Sequence, residues 1–220
     1  VSLAVVGIVI ALLVSFPLGI LSAVRNGSVL DSVVRAASQL GVSLPNFWLG
    51  MLLILLFSST LGWLPPSGYT PLTEDPVEWL RRVIMPGITV GVVAGSILTR
   101  YVRSSVLETL SMDHVRTARS KGLPGRIILL RHVVRNALVP VITVTGTQIA
   151  AILGGVIVVE VVFAWPGLGL LVYDAVRARD FPLLQGAVLL IAVVFLIVNL
   201  LVDLLYAKVD PRIELGGGDG

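Results

Sequence analysis

Five stretches of this chain, 1–24, 42–64, 83–99, 136–159 and 181–202, run without a single Lys, Arg, Asp or Glu. A bilayer hydrocarbon core of roughly 30 Å is crossed by about 20 helical residues, so each run has about the length of a membrane span. Apolar residues make up 56% of the chain and charged residues 13%, too little polar surface to cover a soluble core of this size. The composition predicts an all-α, polytopic membrane protein. Helical patterning carries the third run on to about residue 104 and the fifth to about 206. The spans and their links form one transmembrane domain over 1–215, and the Gly-rich tail at 216–220 has nothing to bury and is expected to be disordered. Residue 1 falls inside an apolar run with no Met, basic leader or cleavage site before it, so the natural beginning is expected to be missing.

Lys and Arg set the orientation. The links after the first, third and fifth runs hold twelve of the sixteen, including Arg25, Arg35, Arg100, Arg103, Lys208 and Arg212, and that side is expected to be cytoplasmic. Residue 1 is then outside and the carboxyl terminus inside. Trp63, Trp79 and Trp165 fall on the outer side, where an indole can bury its ring and keep its N–H wet. Residues 28–40 repeat Leu30, Val33, Val34 and Ala37 at helical spacing, which reads as a short helix at the inner interface. Residues 64–86 carry five prolines and Gly68 and read as an ordered outer loop, and Trp165-Pro166-Gly167 marks a turn before another short helix.

The basic link at about 105–135 is the strongest functional feature. Arg116, Arg119, Lys121, Arg126, Arg131 and Arg135 share it with an apolar stripe of Val115, Ala118, Leu123, Ile127, Leu130 and Val134, and Gly122 with Pro124 divides it into two helices. A lipid anchor requires charge but no such shape. A short helix bearing Ala118 and ending at Gly122 suits insertion into a partner's groove, with cations free to pair with carboxylates. Gly87, Gly91 and Gly95 form overlapping Gly-xxx-Gly repeats, a spacing that lets another helix approach closely. Pro45 and Pro140 read as helix starts or packing residues. Asp203 is taken as the only carboxylate touching a span, and its place near Lys208 favours a solvated pair over a proton relay.

Other chemistry lacks its residues. There is no cysteine and the two histidines stand apart, so no metal site is expected; no Gly-x-x-x-x-Gly-Lys-Ser/Thr loop cradles phosphates, and no nucleophile elbow is present. No catalytic residue is assigned, and nothing suggests nucleic acid. An ion-coupled secondary transporter is the alternative reading, but it calls for buried carboxylates or inverted repeats.

Residues 113–140 resemble the cytoplasmic loop of ABC-importer permeases. Residues 41–50 (Gly-Val-Ser-Leu-Pro-Asn-Phe-Trp-Leu-Gly), 62–69, 160–169 (Glu-Val-Val-Phe-Ala-Trp-Pro-Gly-Leu-Gly), 179–182 and 203–212 narrow the resemblance to the dipeptide, oligopeptide and nickel subfamily. It covers nearly the whole chain, in the right order. It implies the type I importer permease fold with six spans, of which the first and the outer domain after it are absent here. It also implies a companion permease, two ATP-binding subunits that hold ATP and Mg, and an extracytoplasmic substrate-binding protein, all at a bacterial or archaeal cytoplasmic membrane. The cargo would be di- or oligopeptides, nickel or a similar small solute. The resemblance gives Val115, Arg116, Thr117, Ala118, Lys121 and Gly122 the ATPase-coupling role, although the wider family's Glu-Ala-Ala is replaced here by Arg116-Thr117-Ala118.

Single cysteines at Gly68 and Asp174 should react with an impermeant thiol reagent in intact cells, and those at Gly27, Lys121 and Arg212 should not. Labelling at position 121 from outside would invert the orientation.

Overall fold

The computed structural model describes residues 2–209, without the side chains of residues 139, 150, 153, 154, 203 and 205–209. The expected tail, Arg212 and the side chains of Asp203 and Lys208 therefore lie outside the described residues. Among the described residues every regular element is a helix. These are α1 (Ser2–Val24), α2 (Val29–Ser43), α3 (Asn46–Leu53) with a π-helical turn Ile54–Thr60, α4 (Pro76–Ser111), α5 (Asp113–Ser120), a helical turn α6 (Gly125–Ile127) with a second π-helical turn Ile128–Val134, α7 (Arg135–Val162), α8 (Leu168–Ala178) and α9 (Phe181–Val209).

The longest helix, α4, is the post on which the others stand. At 36 residues it runs about 54 Å, well beyond the hydrocarbon thickness. It also starts earlier than the prolines suggest. Pro76 occupies the first turn, where its missing N–H costs nothing, and the Asp75 carboxylate accepts from the amides of Val77 and Glu78 at 3.0 Å each. Pro86 is then accommodated inside the helix.

Along α4 lies α1, in parallel. A Cβ on Gly91 would come within 2.9 Å of the Gly7 carbonyl and of Ile10; one on Gly87 would meet Val6, and one on Gly95 the backbone of Ala11. Lower down, Gly19 fits against Val102 and Thr99. The helix approached by the glycine face is thus α1 of the same chain.

Antiparallel to α4, α2 carries Asp31 beside Arg103 and Gly41 against Ser96 and Val92. So α2 does not lie along the inner surface. It climbs α4 to mid-depth, and after Leu44 and Pro45 the chain turns by 106° into Asn46–Thr60; only together are the two pieces long and apolar enough for a crossing. The second expected span, 42–64, is thereby a bent pair that begins at Val29. A second break, of 50°, separates Gly125–Leu138 from Pro140–Ile149 and puts Pro140 at a kink rather than a helix start. Ser2–Val24, Pro76–Ser111 and Phe181–Val202 pass as unbroken crossings. The last shows most of its apolar surface, with Leu189, Leu196 and Leu200 exposed.

Outside the bilayer, the loop after the first π-helical turn is pinned. The Gly68 amide donates to the Phe163 carbonyl at 3.0 Å, the Arg82 guanidinium donates to the Ser67 carbonyl at 2.8 Å, and Tyr69 meets Trp165 edge-on at 4.9 Å. Trp165 is 2% exposed, so it is a core residue rather than an interfacial one.

Gly91→Leu should wedge α1 from α4, because the new side chain meets backbone rather than a flexible tip. The expected loss is about 1–3 kcal/mol, read as a lower melting temperature in detergent. Unchanged melting would place the glycine face away from α1.

Candidate coupling site

α5 is a helix with two faces. Its anchoring side chains, Val115 (0% exposed) and Ala118 (5%), sit in an apolar cluster with Val106 of α4, Ile128 and Val133 of the second π-helical turn, and Ala137 of α7. Its other face is polar: Arg116 is 77% exposed, and Thr117, Arg119, Ser120 and Lys121 are exposed with it. Thr117 and Ser120 turn their hydroxyls back to the Asp113 and Arg116 carbonyls. Among the described residues Arg116 is held by a loose 3.7 Å pair with Asp113, worth little in water. Gly122 ends the segment at φ +73° with open space where a Cβ would stand, so its role is to turn the chain.

This divides the six residues expected to couple. Arg116, Thr117, Lys121 and Gly122 are presented outward, whereas Val115 and Ala118 fasten the helix to its own chain and are not free to enter a partner's groove. A small residue at 118 permits close approach, but to the chain's own α4 and second π-helical turn. The expected second helix of the loop is not separate either, since α6 and the π-helical turn lead directly into α7. One polar strap reinforces the seat: the Asn136 amide lies 3.2 Å from His114 Nε2 and donates to the His132 carbonyl at 2.9 Å. Beside α5 opens a cavity of about 640 Å³ lined by Val24, Leu110, Arg119, Leu123, Gly125, Arg126, Ile128 and Leu129. Gly87, Gly91 and Gly95 lie far up α4 and take no part in this site.

Above the site is a polar lock that the sequence reading missed. Asp31, 1% exposed, accepts from Ser22 Oγ (2.6 Å) and Arg103 Nε (2.7 Å) on one oxygen, and from the Gly27 amide (3.1 Å) and Arg103 Nη2 (2.9 Å) on the other. Arg103 Nη2 also donates to Asn26 Oδ1 at 2.9 Å. The fork-on-fork pair satisfies every lone pair that burial would otherwise leave empty. It ties the end of α1, the start of α2 and α4, two turns before α4 passes into α5. A signal was available: Ser28-x-x-Asp31 is a capping-box spacing, and the Ser28 hydroxyl does accept from the Asp31 amide at 3.2 Å.

A second buried carboxylate, Glu160 near the C-terminal end of α7, accepts from the Gly169 amide at 2.7 Å and so fixes the start of α8. A side chain on Gly167 would collide with it. Asp203 is therefore not alone: Asp31 and Glu160 are also acids on crossing helices, and both are buried and held by partners within the chain.

With this geometry in view, the comparisons with known proteins are specific. The family model described as binding-protein-dependent transport system inner membrane component matches residues 15–215. The oligopeptide transport system permease protein of Bacillus subtilis (strain 168) is 42% identical over 214 residues, covering 96% of this chain and 68% of that protein. The dipeptide transport system permease protein of Escherichia coli (strain K12) is 40% identical over 235 residues, covering 96% of this chain and 69% of the other.

Removing either half of the lock leaves a buried charge without its partner. Asp31→Ala or Arg103→Ala should cost about 3–5 kcal/mol, and a paired Asp31→Leu, Arg103→Met replacement should recover most of it. Thermal unfolding of the three proteins in detergent checks this, and single variants as stable as the parent would refute it.

Proposed function

This chain belongs to the family of binding-protein-dependent transport system inner membrane components, and from that premise we propose how it works: as one membrane half of an ATP-driven importer of di- or oligopeptides, coupled to its motor through the outer face of α5. It is a multi-pass membrane permease subunit. The peptide cargo is inferred from relatives named as oligopeptide and dipeptide permeases. In this reading two ATP-binding subunits hold ATP and Mg on the cytoplasmic side, a companion permease completes the pathway, and a binding protein delivers peptide from outside. The chain performs no bond chemistry of its own.

The observation that supports the coupling role is the two-faced build of α5. A partner can change the state of the spans only if it grips the two states differently and the grip is passed on. Arg116, Thr117, Lys121 and Gly122 supply a surface for carboxylates and carbonyls of the motor. Val115 and Ala118 pass displacement to the end of α4 and to the segment that enters α7, because a close-packed apolar contact moves as a unit. The breaks at Pro45 and Pro140 are places where such displacement can be absorbed as rotation. On α7, Thr143 and Thr147 are exposed one turn apart, with Gln148 half-buried beside them. They are the polar groups we assign to a peptide's path.

Reversing the outward charges with Arg116→Glu plus Lys121→Glu should leave the melting temperature unchanged and lower co-purification of the ATP-binding subunits roughly tenfold, each lost exposed pair contributing up to about 1 kcal/mol. Ala118→Glu should do both kinds of damage, since it forces a carboxylate into the apolar seat. Parental recovery and peptide uptake by the doubly reversed protein would return the loop to a lipid-facing anchor.

A further inference from the structure

We propose that the groove between α2 and α4, lined by Arg35, Gln39, Arg100, Tyr101, Arg103 and Ser104, is a binding site for the phosphate headgroup of an anionic phospholipid. The cavity measures about 480 Å³, within the usual range for small-ligand sites. Three guanidiniums line it, and the carboxylate that pairs with them among the described residues, Asp31, is already committed. Both oxygens of Asp31 are occupied by Ser22, Gly27 and Arg103, and Arg35 reaches it only at 3.6 Å. Among the described residues Arg100 has no hydrogen-bond or ion-pair partner. The groove thus holds cationic charge that no described residue neutralises, while Gln39, Tyr101 and Ser104 add hydroxyl and amide groups suited to phosphate oxygens.

Position decides for a lipid over a soluble anion. The groove lies between α2 and α4, toward the end of the crossings that carries the basic loop. On α2 the position after groove-lining Gln39 is apolar and open: Leu40 is 63% exposed. A headgroup among the arginines would leave acyl chains to run past Leu40, toward the bilayer centre, as basic pockets between membrane helices commonly arrange. Occupancy would brace α2 against α4 beside the Asp31–Arg103 lock, adding an exchangeable contact to the permanent one.

The test uses the protein purified from membranes with the subunits that accompany it, exchanged into phosphatidylcholine supplemented with phosphatidylglycerol, with retained lipid counted by mass spectrometry after delipidation. The parent should retain phosphatidylglycerol over phosphatidylcholine. Arg100→Gln should reduce that retention about fivefold, Arg100→Lys should keep most of it, and Arg177→Gln, a cation at the other end of the molecule, should not change it. Because Arg100 is exposed and outside the lock, a melting temperature equal to the parent's is expected for all three. Equal retention by Arg100→Gln would overturn the proposal. So would displacement of the lipid by inorganic phosphate or by a free dipeptide, which would make the groove a soluble-anion site.

Discussion

The whole arrangement depends on how closely α1 can lie on α4. Between helices in hydrocarbon there is little hydrophobic gain, because lipid tails are as apolar as leucine, so cohesion comes from van der Waals contact at short range. Gly7 facing Gly91, Ala11 facing Gly95 and Gly19 facing Thr99 remove the side chains that would hold the two backbones apart. Hydroxyls on this face do not interfere, since Thr89 and Thr99 each donate to the carbonyl one turn earlier in α4. With α1 fixed, α4 keeps its remaining faces for α2, α7 and α5. A parallel pair so joined also forces the intervening chain to cross back, which sets the direction of the α2–α3 pair.

At the two ends of these crossings the organising force changes. Where water and headgroups begin, small-residue packing gives way to single buried carboxylates that each gather several donors. Asp31 joins three elements at one end, and Glu160 holds the start of α8 at the other. Each stands at a turn where backbone amides are left without helical partners, and a carboxylate satisfies them while meeting its own need for donors. The outer loop repeats the logic with neutral groups, through Gly68, Arg82 and the Tyr69–Trp165 contact.

Coupling, in the proposed reading, is a matter of which contacts are stiff. The apolar seat of α5 and the Asp31–Arg103 lock border the same end of α4, so load applied to Arg116 or Lys121 meets a braced structure rather than a floppy link. The yielding points lie deeper, at the 106° turn near Pro45 and the 50° break near Pro140. Stiff ends and interrupted middles convert a push at the surface into reorientation within the bilayer. A headgroup in the adjoining groove would tune that stiffness.

By itself the sequence determined the all-helical membrane class, displayed the glycine face and drew attention to the basic loop. Those properties follow from composition and from periods of 3.6 residues, which are local and add up along the chain. The motifs 41–50 and 160–169 carried the family resemblance for the same reason, and membership of that family agrees with it. Tertiary structure alone decided who meets whom. It turned Ala118 inward, gave the glycine face to α1 of the same chain, made α2 the first half of a bent crossing and joined Asp31 to Arg103 across 72 positions. A buried ion pair between residues so distant leaves no periodic trace, and an amphipathic helix has an apolar stripe whether that stripe meets lipid, a partner or its own chain. Only the packed arrangement distinguishes them, because the free energy that chooses among those surfaces belongs to the contact and not to the helix.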